Sequence, residues 1–264
     1  MVPAVERPGR SREAPVSILV TGDTHGDMRR FNNQNMRRQC DGEYPSHVLI
    51  AGDFGLVYST NPDDRLEREL VDWLDAKPWE TIALLGNHEN YERAYALPLA
   101  EHLGAPMYRV SEKVWLMQHG NVYTIEGKTF FAFGGAASID RASRQDRISW
   151  WEEEVPTRAD VDRGVRSLAA VGGRVDYVIT HTAPREAVDT VIGRPLILGD
   201  AGWERDEAQF DDPTVALLME LWGHIDLGTL KEWFFGHFHT EAVFRGSITG
   251  FLYHGLYMDF ARIR

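Results

Sequence analysis

Five short apolar runs in this chain each end in a residue type that binds metal ions, and that recurrence limits what the chain can fold into. The runs are Ile18-Leu19-Val20, Val48-Leu49-Ile50, Ile82-Ala83-Leu84-Leu85, Val178-Ile179 and Trp233-Phe234-Phe235. They lead into Gly22-Asp23-Thr24-His25-Gly26, Gly52-Asp53-Phe54-Gly55, Gly86-Asn87-His88-Glu89, Thr180-His181-Thr182-Ala183-Pro184 and Gly236-His237-Phe238-His239. A sheet whose strand ends converge on one polar site gives this pattern. In open α/β sheets, ligands bind beyond the carboxyl ends of the strands.

The surrounding pattern supports an α/β fold. Strands are expected over 16–21, 47–51 and 81–85, each followed by a loop and a helix, over 28–38, 63–74 and from Glu89 onward. In the second helix Leu66, Leu70, Val71 and Leu74 recur at helical spacing and are expected to face the core. Its Asn61-Pro62-Asp63-Asp64 start places carboxylates near the positive helix end. Three β-loop-α units in succession imply a largely parallel sheet. Short strands at 114–118, 121–125 and 129–133, the last two joined by a Glu126-Gly127 turn, suggest a second, more antiparallel sheet packed on the first.

Further along, 134–154 reads as an irregular loop, and Thr157 is expected to cap a helix reaching about Val171. A core strand is expected over 175–180, and 190–213 forms a long Gly-, Asp- and Pro-containing excursion. A helix near 214–225 and strands from Lys231, Glu241 and Phe251 close the chain. The expected architecture is a four-layer α-β-β-α sandwich: two mixed sheets flanked by helices. We expect a flexible tail over 1–15 and a single domain over 16–264.

Composition narrows the partners. The net charge is -12, from 28 basic and 40 acidic residues, whereas a nucleic-acid footprint normally shows as a basic domain. A small phosphorylated substrate fits better, since bound cations would reverse the local field. Cys40 is the single cysteine, so no internal disulfide ties the fold to an oxidising compartment. Nothing near it suggests an activated nucleophile. No apolar stretch approaches the ~20 residues of a membrane span, and 1–15 lacks an apolar signal core. A cytoplasmic protein is expected, with no membrane partner.

The residues after the five runs form a chemical set: Asp23, His25, Asp53, Asn87, His181, His237 and His239. Phosphate-ester hydrolysis needs a nucleophile and neutralised phosphoryl oxygens, and two metal ions roughly 3.5–4 Å apart can supply both. Holding two divalent ions so close requires a shared anionic ligand. Mixed His, Asp and Asn ligation suits Mn, Fe, Co, Ni or Zn better than Ca or Mg, with Mn the first expectation. His88 is left over, beside a ligand, as a candidate acid. Taken singly, Asp23 and Asp53 would read as turn caps and Asn87 as the cap of a helix starting at Glu89. Independent capping does not account for five of the ten histidines falling inside these blocks.

Asp-x-His, Gly-Asp-x-Gly, Gly-Asn-His-Glu, a later single His and Gly-His-x-His occur here in the order seen in calcineurin-like metallophosphoesterases. The resemblance runs from Asp23 to His239, and no member of the motif set is substituted. The stretch Gly134-Gly135-Ala136-Ala137-Ser138-Ile139-Asp140, with Arg147 and Ser149-Trp150-Trp151, also resembles a group of small bacterial metallophosphoesterases. The resemblance implies that Asp23, His25 and His239 hold one ion, that Asn87, His181 and His237 hold another, and that Asp53 bridges them. It implies a hydroxide between the ions as nucleophile on a phosphate monoester or diester, with His88 at the leaving-group oxygen.

Beyond that set, Arg141, Arg144 and Arg147 on the irregular central loop are candidates for binding the substrate phosphate, since guanidinium matches phosphate geometry. The alternative is a solvated loop with surface ion pairs. Glu89 is expected to orient a neighbour or cap a helix. Trp150 and Trp151 read as core, or as the floor of a substrate pocket. His47, His102, His119 and His224 read as ordinary packed or solvated residues, and His254 could approach the site. A second functional class stays open. Some proteins of this fold, such as the retromer subunit, are interaction scaffolds, so a non-catalytic or weakly catalytic binding module is the alternative.

Overall fold

The computed structural model describes residues 17–192, 212–239, 242–244, 248–250 and 256–259. The expected tail over 1–15, most of the 190–213 excursion, His254 and the expected strand starts at Val16, Glu241 and Phe251 lie outside the described residues.

Two mixed sheets form the centre. The first contains β1 (Ser17–Thr21), β2 (His47–Ile50), β3 (Glu80–Ala83), β4 (Leu99–His102), β5 (Ala105–Arg109) and β6 (Val114–Met117). The second contains β7 (Asn121–Ile125), β8 (Lys128–Phe133), β9 (Tyr177–Thr180), β10 (Glu232–Phe235), β11 (Ala242–Phe244) and β12 (Ile248–Gly250). The last strand, β13 (Leu256–Asp259), returns to the first sheet. The strand orders are β13-β1-β2-β3-β6-β5-β4 and β11-β12-β10-β9-β8-β7. β1, β2, β3 and β6 run parallel, as do β8, β9, β10 and β12; antiparallel pairs lie at the flanks of both sheets.

Two expectations change here. The 114–118 strand belongs to the first sheet, pairing parallel with β3, and the middle of the second sheet is parallel rather than antiparallel. The β4–β5 hairpin, absent from the sequence reading, explains the first change: it and β6 extend the first sheet before the chain crosses over.

The strand pleat sorts side chains into layers. Ile18 and Val20 of β1, Leu49 of β2 and Ile82 of β3 face Phe130 and Ala132 of β8, Ile179 of β9 and Phe234 of β10, in the core between the sheets. The alternate residues point outward. Leu19, Val48, Ile50 and Ala83 pack under α1 (Asn33–Gln39), α2 (Arg65–Asp75) and α3 (Tyr91–Ala96). Phe131, Phe133, Val178, Trp233 and Phe235 pack under α4 (Arg158–Ala170), α5 (Arg185–Ile192) and α6 (Pro213–Trp222). Strands sheathed on both faces read as continuous apolar runs, which is why they stand out in the sequence. The four-layer sandwich is therefore as expected.

Helix ends follow capping chemistry. Thr157 caps α4 in a full capping box with Asp160. α2 begins at Arg65, with the Asp64 side chain accepting from Leu66 and Glu67. Leu66 is 60% exposed, not in the core; Leu74 is buried and Leu70 and Val71 are partly so. The helix expected from Glu89 starts at Tyr91 with Asn90 as its cap. Asn87 is thus not a cap, and its side chain is free for other work. Among the described residues, no helix is long and apolar enough to cross a membrane.

Candidate metal centre

The ligand-type residues follow β1, β2 and β3 of the first sheet and β9 and β10 of the second, all at the carboxyl ends of neighbouring parallel strands. Their loops are pinned to one another. His25 N–H donates to the Asp53 carbonyl at 2.8 Å, and Gly26 N–H to the Phe54 carbonyl at 3.1 Å. His88 N–H donates to Asp53 Oδ1 at 3.0 Å, and His237 N–H to Asp23 Oδ1 at 2.8 Å. The last bond ties the two sheets together at the site. Glu89, fully buried, accepts from Phe54 N–H at 2.8 Å and Gly86 N–H at 2.6 Å. It therefore braces two ligand-bearing loops and caps no helix.

The structure brings all seven expected ligand residues together. Asn87 Oδ1 lies 3.0 Å from His181 Nε2 and 3.1 Å from His237 Nδ1. His181 Nδ1 sits 2.8 Å from the Ala51 carbonyl and donates to it, which turns Nε2 to the site. The Asn87 amide nitrogen donates to Ser138 Oγ at 3.1 Å, which turns its oxygen to the same place. On the other side, His25 Nε2 and His239 Nε2 are 3.0 Å apart, and His239 Nε2 is 4.0 Å from Asp23 Oδ1. Asp53 stands between. Its Oδ1 is 3.4 Å from His181 Nε2, and its Oδ2 is 3.8 Å from His25 Nε2 and 3.9 Å from His88 Nε2.

These residues fit metal ions. Asp23 Oδ2 is buried with no hydrogen-bond partner, a condition that costs roughly 1–3 kcal/mol or more unless a cation meets it. Three overlapping groups, Asp23-His25-His239, His25-Asp53-His88 and Asp23-Asp53-His181, each bring three ligand atoms within 4.8 Å of one another. Backbone geometry serves the same end. A Cβ at Gly236 would come 2.7 Å from Asp23 Oδ2 and 2.8 Å from the Ala51 carbonyl, so only glycine lets the carboxylate stand there. Asp23, His25, Asp53, His237 and His239 all hold left-handed backbone, with φ of 45°, 44°, 49°, 64° and 46°. Non-glycine residues rarely adopt it, and such strain concentrates at functional sites.

The electrostatics are those of a buried acid–imidazole cluster. Burial pushes the Asp23 carboxyl up to about 8, against the pull of His181. Burial works against the Asp53 charge as well, but His181 and the other imidazoles hold it well below the usual carboxylate range. Burial opposes the His181 charge, and Asp53 overrides it, raising His181 to about 10. Burial lowers His25, His237 and His239, leaving their nitrogens as lone-pair donors at neutral pH.

Of the three loop arginines, Arg144 reaches the site. One of its terminal nitrogens is 2.7 Å from His88 Nε2, the other donates to the Asn87 carbonyl at 2.9 Å, and its Nε pairs with Asp140 at 2.7 Å. Arg141 instead stacks on Trp150, 3.6 Å from the ring centroid, and Arg147 pairs with Glu153 at 2.8 Å. Trp151 is buried in the core under the first sheet. Two further residues were not singled out in the sequence. Ser138 donates its hydroxyl to Glu154 Oε2 at 2.6 Å and its N–H to Glu154 Oε1 at 2.6 Å. Ser138 lies within the Gly134–Asp140 stretch that stood out, whereas nothing in the sequence marks Glu154.

The other described histidines sit away from this cluster. His47 and His102 lie with Glu80 at the opposite end of the first sheet. His119 is buried, with Nδ1 accepting from Gly134 N–H at 3.0 Å.

A comparison with curated proteins returns no significant match. The sequence model of the family described as calcineurin-like phosphoesterase matches residues 16–241, a span that holds every residue of the cluster. The chain belongs to the calcineurin-like phosphoesterase family.

Proposed function

We propose that this chain hydrolyses a phosphate monoester or diester at a centre of two divalent ions. The observation that carries the reading is the Asp53 carboxylate, whose two oxygens turn to different imidazoles, Oδ1 to His181 and Oδ2 to His25. An anion shared between two cation positions is what a dinuclear site requires. Asp23, His25 and His239 would hold one ion, Asn87, His181 and His237 the other, and Asp53 both. The mixed nitrogen and oxygen donors suit Mn, Fe, Co, Ni or Zn. When bound, such a pair supplies a low-pKa water and neutralises phosphoryl charge.

The chain's own residues supply positioning and protons. Arg144 has no acceptor, so its 2.7 Å contact marks His88 Nε2 as a lone pair in the substrate-free protein. A phosphoryl oxygen arriving there would take over that guanidinium fork. His88 is then released to carry a proton at Nε2 toward the leaving oxygen. Asn87 and His88 stay fixed meanwhile, through Ser138 and the Asp53–His88 backbone bond. The single buried thiol of Cys40 suits a cytoplasmic setting.

The test is hydrolysis of bis-p-nitrophenyl phosphate and p-nitrophenyl phosphate by metal-stripped protein resupplied with Mn, with Asp53→Asn as control. We expect metal-dependent turnover that the variant loses together with bound metal. Full activity in Asp53→Asn would sink the reading, and two bound ions without turnover would favour a binding module.

A further inference from the structure

A cavity of about 680 Å³ opens beside the cluster, with His25 and His88 at one end. Away from those imidazoles its wall is Met28, Tyr58, Leu66 and Trp73. Two of these are unusual for their size: Tyr58 is 43% and Leu66 60% exposed. Leu66 sits in the first turn of α2, where helical spacing alone would have buried it; instead it is held out at the cavity. Single exposed apolar residues need no explanation, but a contiguous group lining a concavity beside a polar centre does. Among the described residues no Lys or Arg lines this cavity, and its charged members are Glu67 and Glu69.

We propose that this cavity is a substrate subsite that takes a flat, uncharged aromatic group, the alcohol portion of the phosphate ester. The inference rests on the phosphoesterase reading and deepens it. Three features select that occupant. The cavity adjoins His88, the residue placed toward the leaving oxygen, so whatever fills it is attached to that oxygen. Its volume suits a bicyclic ring rather than a methyl or glyceryl group, since ligand pockets run from about 300 Å³ upward. No lysine or arginine among the described residues lines it, and its two carboxylates are already ion-paired, Glu67 with Arg93 and Glu69 with Arg65, so the lining offers a second phosphate or carboxylate no guanidinium or ammonium partner. Tyr58 and Trp73 offer aromatic surface, and Leu66 and Met28 offer aliphatic contact. Such walls hold a ring by burial and stacking, without a hydrogen-bonding code.

Equilibrium binding separates this proposal from the hydrolysis itself. The probes are two non-hydrolysable phosphonates, 2-naphthylmethylphosphonate and methylphosphonate, titrated calorimetrically into Mn-loaded protein. We expect the naphthyl compound to bind about tenfold tighter or better, from the apolar area it buries. Leu66→Ser and Tyr58→Ser, both at exposed positions that leave the core intact, should erase that preference and leave methylphosphonate binding unchanged. Equal affinities in the wild type, a preference that survives both variants, or no binding of either phosphonate would overturn the subsite. Turnover of p-nitrophenyl phosphate, measured alongside, tests the hydrolase reading by itself, so either can fail without the other.

Discussion

Asn87 and Ser138 are joined by a 3.1 Å hydrogen bond across 51 residues of sequence, and Glu154 anchors the serine in turn. The bond decides which end of the Asn87 amide meets His181 and His237. Without it, the nitrogen could rotate into the site and offer protons where lone pairs are needed. Ser138→Ala should weaken metal binding about 10–100-fold, the usual consequence of losing a group that orients a ligand. Metal-to-protein ratios after dialysis against a graded chelator would read it, and unchanged retention would remove Ser138 from the account.

Metal loading should release protons. In the metal-free protein His181 is raised to about 10 and Asp23 to about 8, so at pH 7 both groups carry a proton that a metal must displace. Metal occupancy is opposed below these values, and affinity climbs as pH rises toward them. Calorimetry at pH 7 in buffers of different ionisation enthalpy should find about two protons released per loaded site. Zero release would mean that Asp23 and His181 do not give up their protons to the ions.

Gly236→Ala probes the close approach at β10. Its Cβ would fall 2.7 Å from Asp23 Oδ2 with the Ala51 carbonyl 2.8 Å away, so the carboxylate must move off its position. We expect loss of bound metal together with a stability loss of about 1–3 kcal/mol from overpacking, read by metal analysis and denaturant midpoint. A variant with full metal content would show that the Asp23 loop yields freely.

Arg144 and His88 should separate by kinetic parameter. Arg144→Ala removes the proposed phosphate-binding guanidinium and is expected to raise KM more than it lowers kcat. His88→Ala should slow esters with poor leaving groups more than aryl esters, because only the former need a proton at departure. Equal losses across leaving groups would argue against His88 as an acid.

How legible this was depended on burial. Strands such as β1 and β8, sheathed on both sides, announce themselves as apolar runs, and each ligand loop begins where a run stops. The β4–β5 hairpin was illegible because Leu99–His102 alternates between exposed and half-buried and carries only two apolar residues. Its partner β5 includes Pro106, which speaks against a strand. Asn87 and Asn90 compete for one capping role, and only the observed helix start at Tyr91 assigns it to Asn90. Leu66 obeyed helical spacing and still lies outside the core, since periodicity describes a face and not what covers it. Among Arg141, Arg144 and Arg147, sequence spacing could not choose. The choice fell to which guanidinium found Trp150 or Glu153 first.

Five of the clustered residues hold left-handed backbone, and that fact bears on how such a chain can change. Glycine would relax each of these positions at once, by roughly 1–2 kcal/mol. It would also delete the side chain for which the position exists. Selection for stability and selection for chemistry therefore pull in opposite directions at Asp23, His25, Asp53, His237 and His239. A descendant freed from its chemistry should drift there first, toward glycine or asparagine, and gain robustness as it does so.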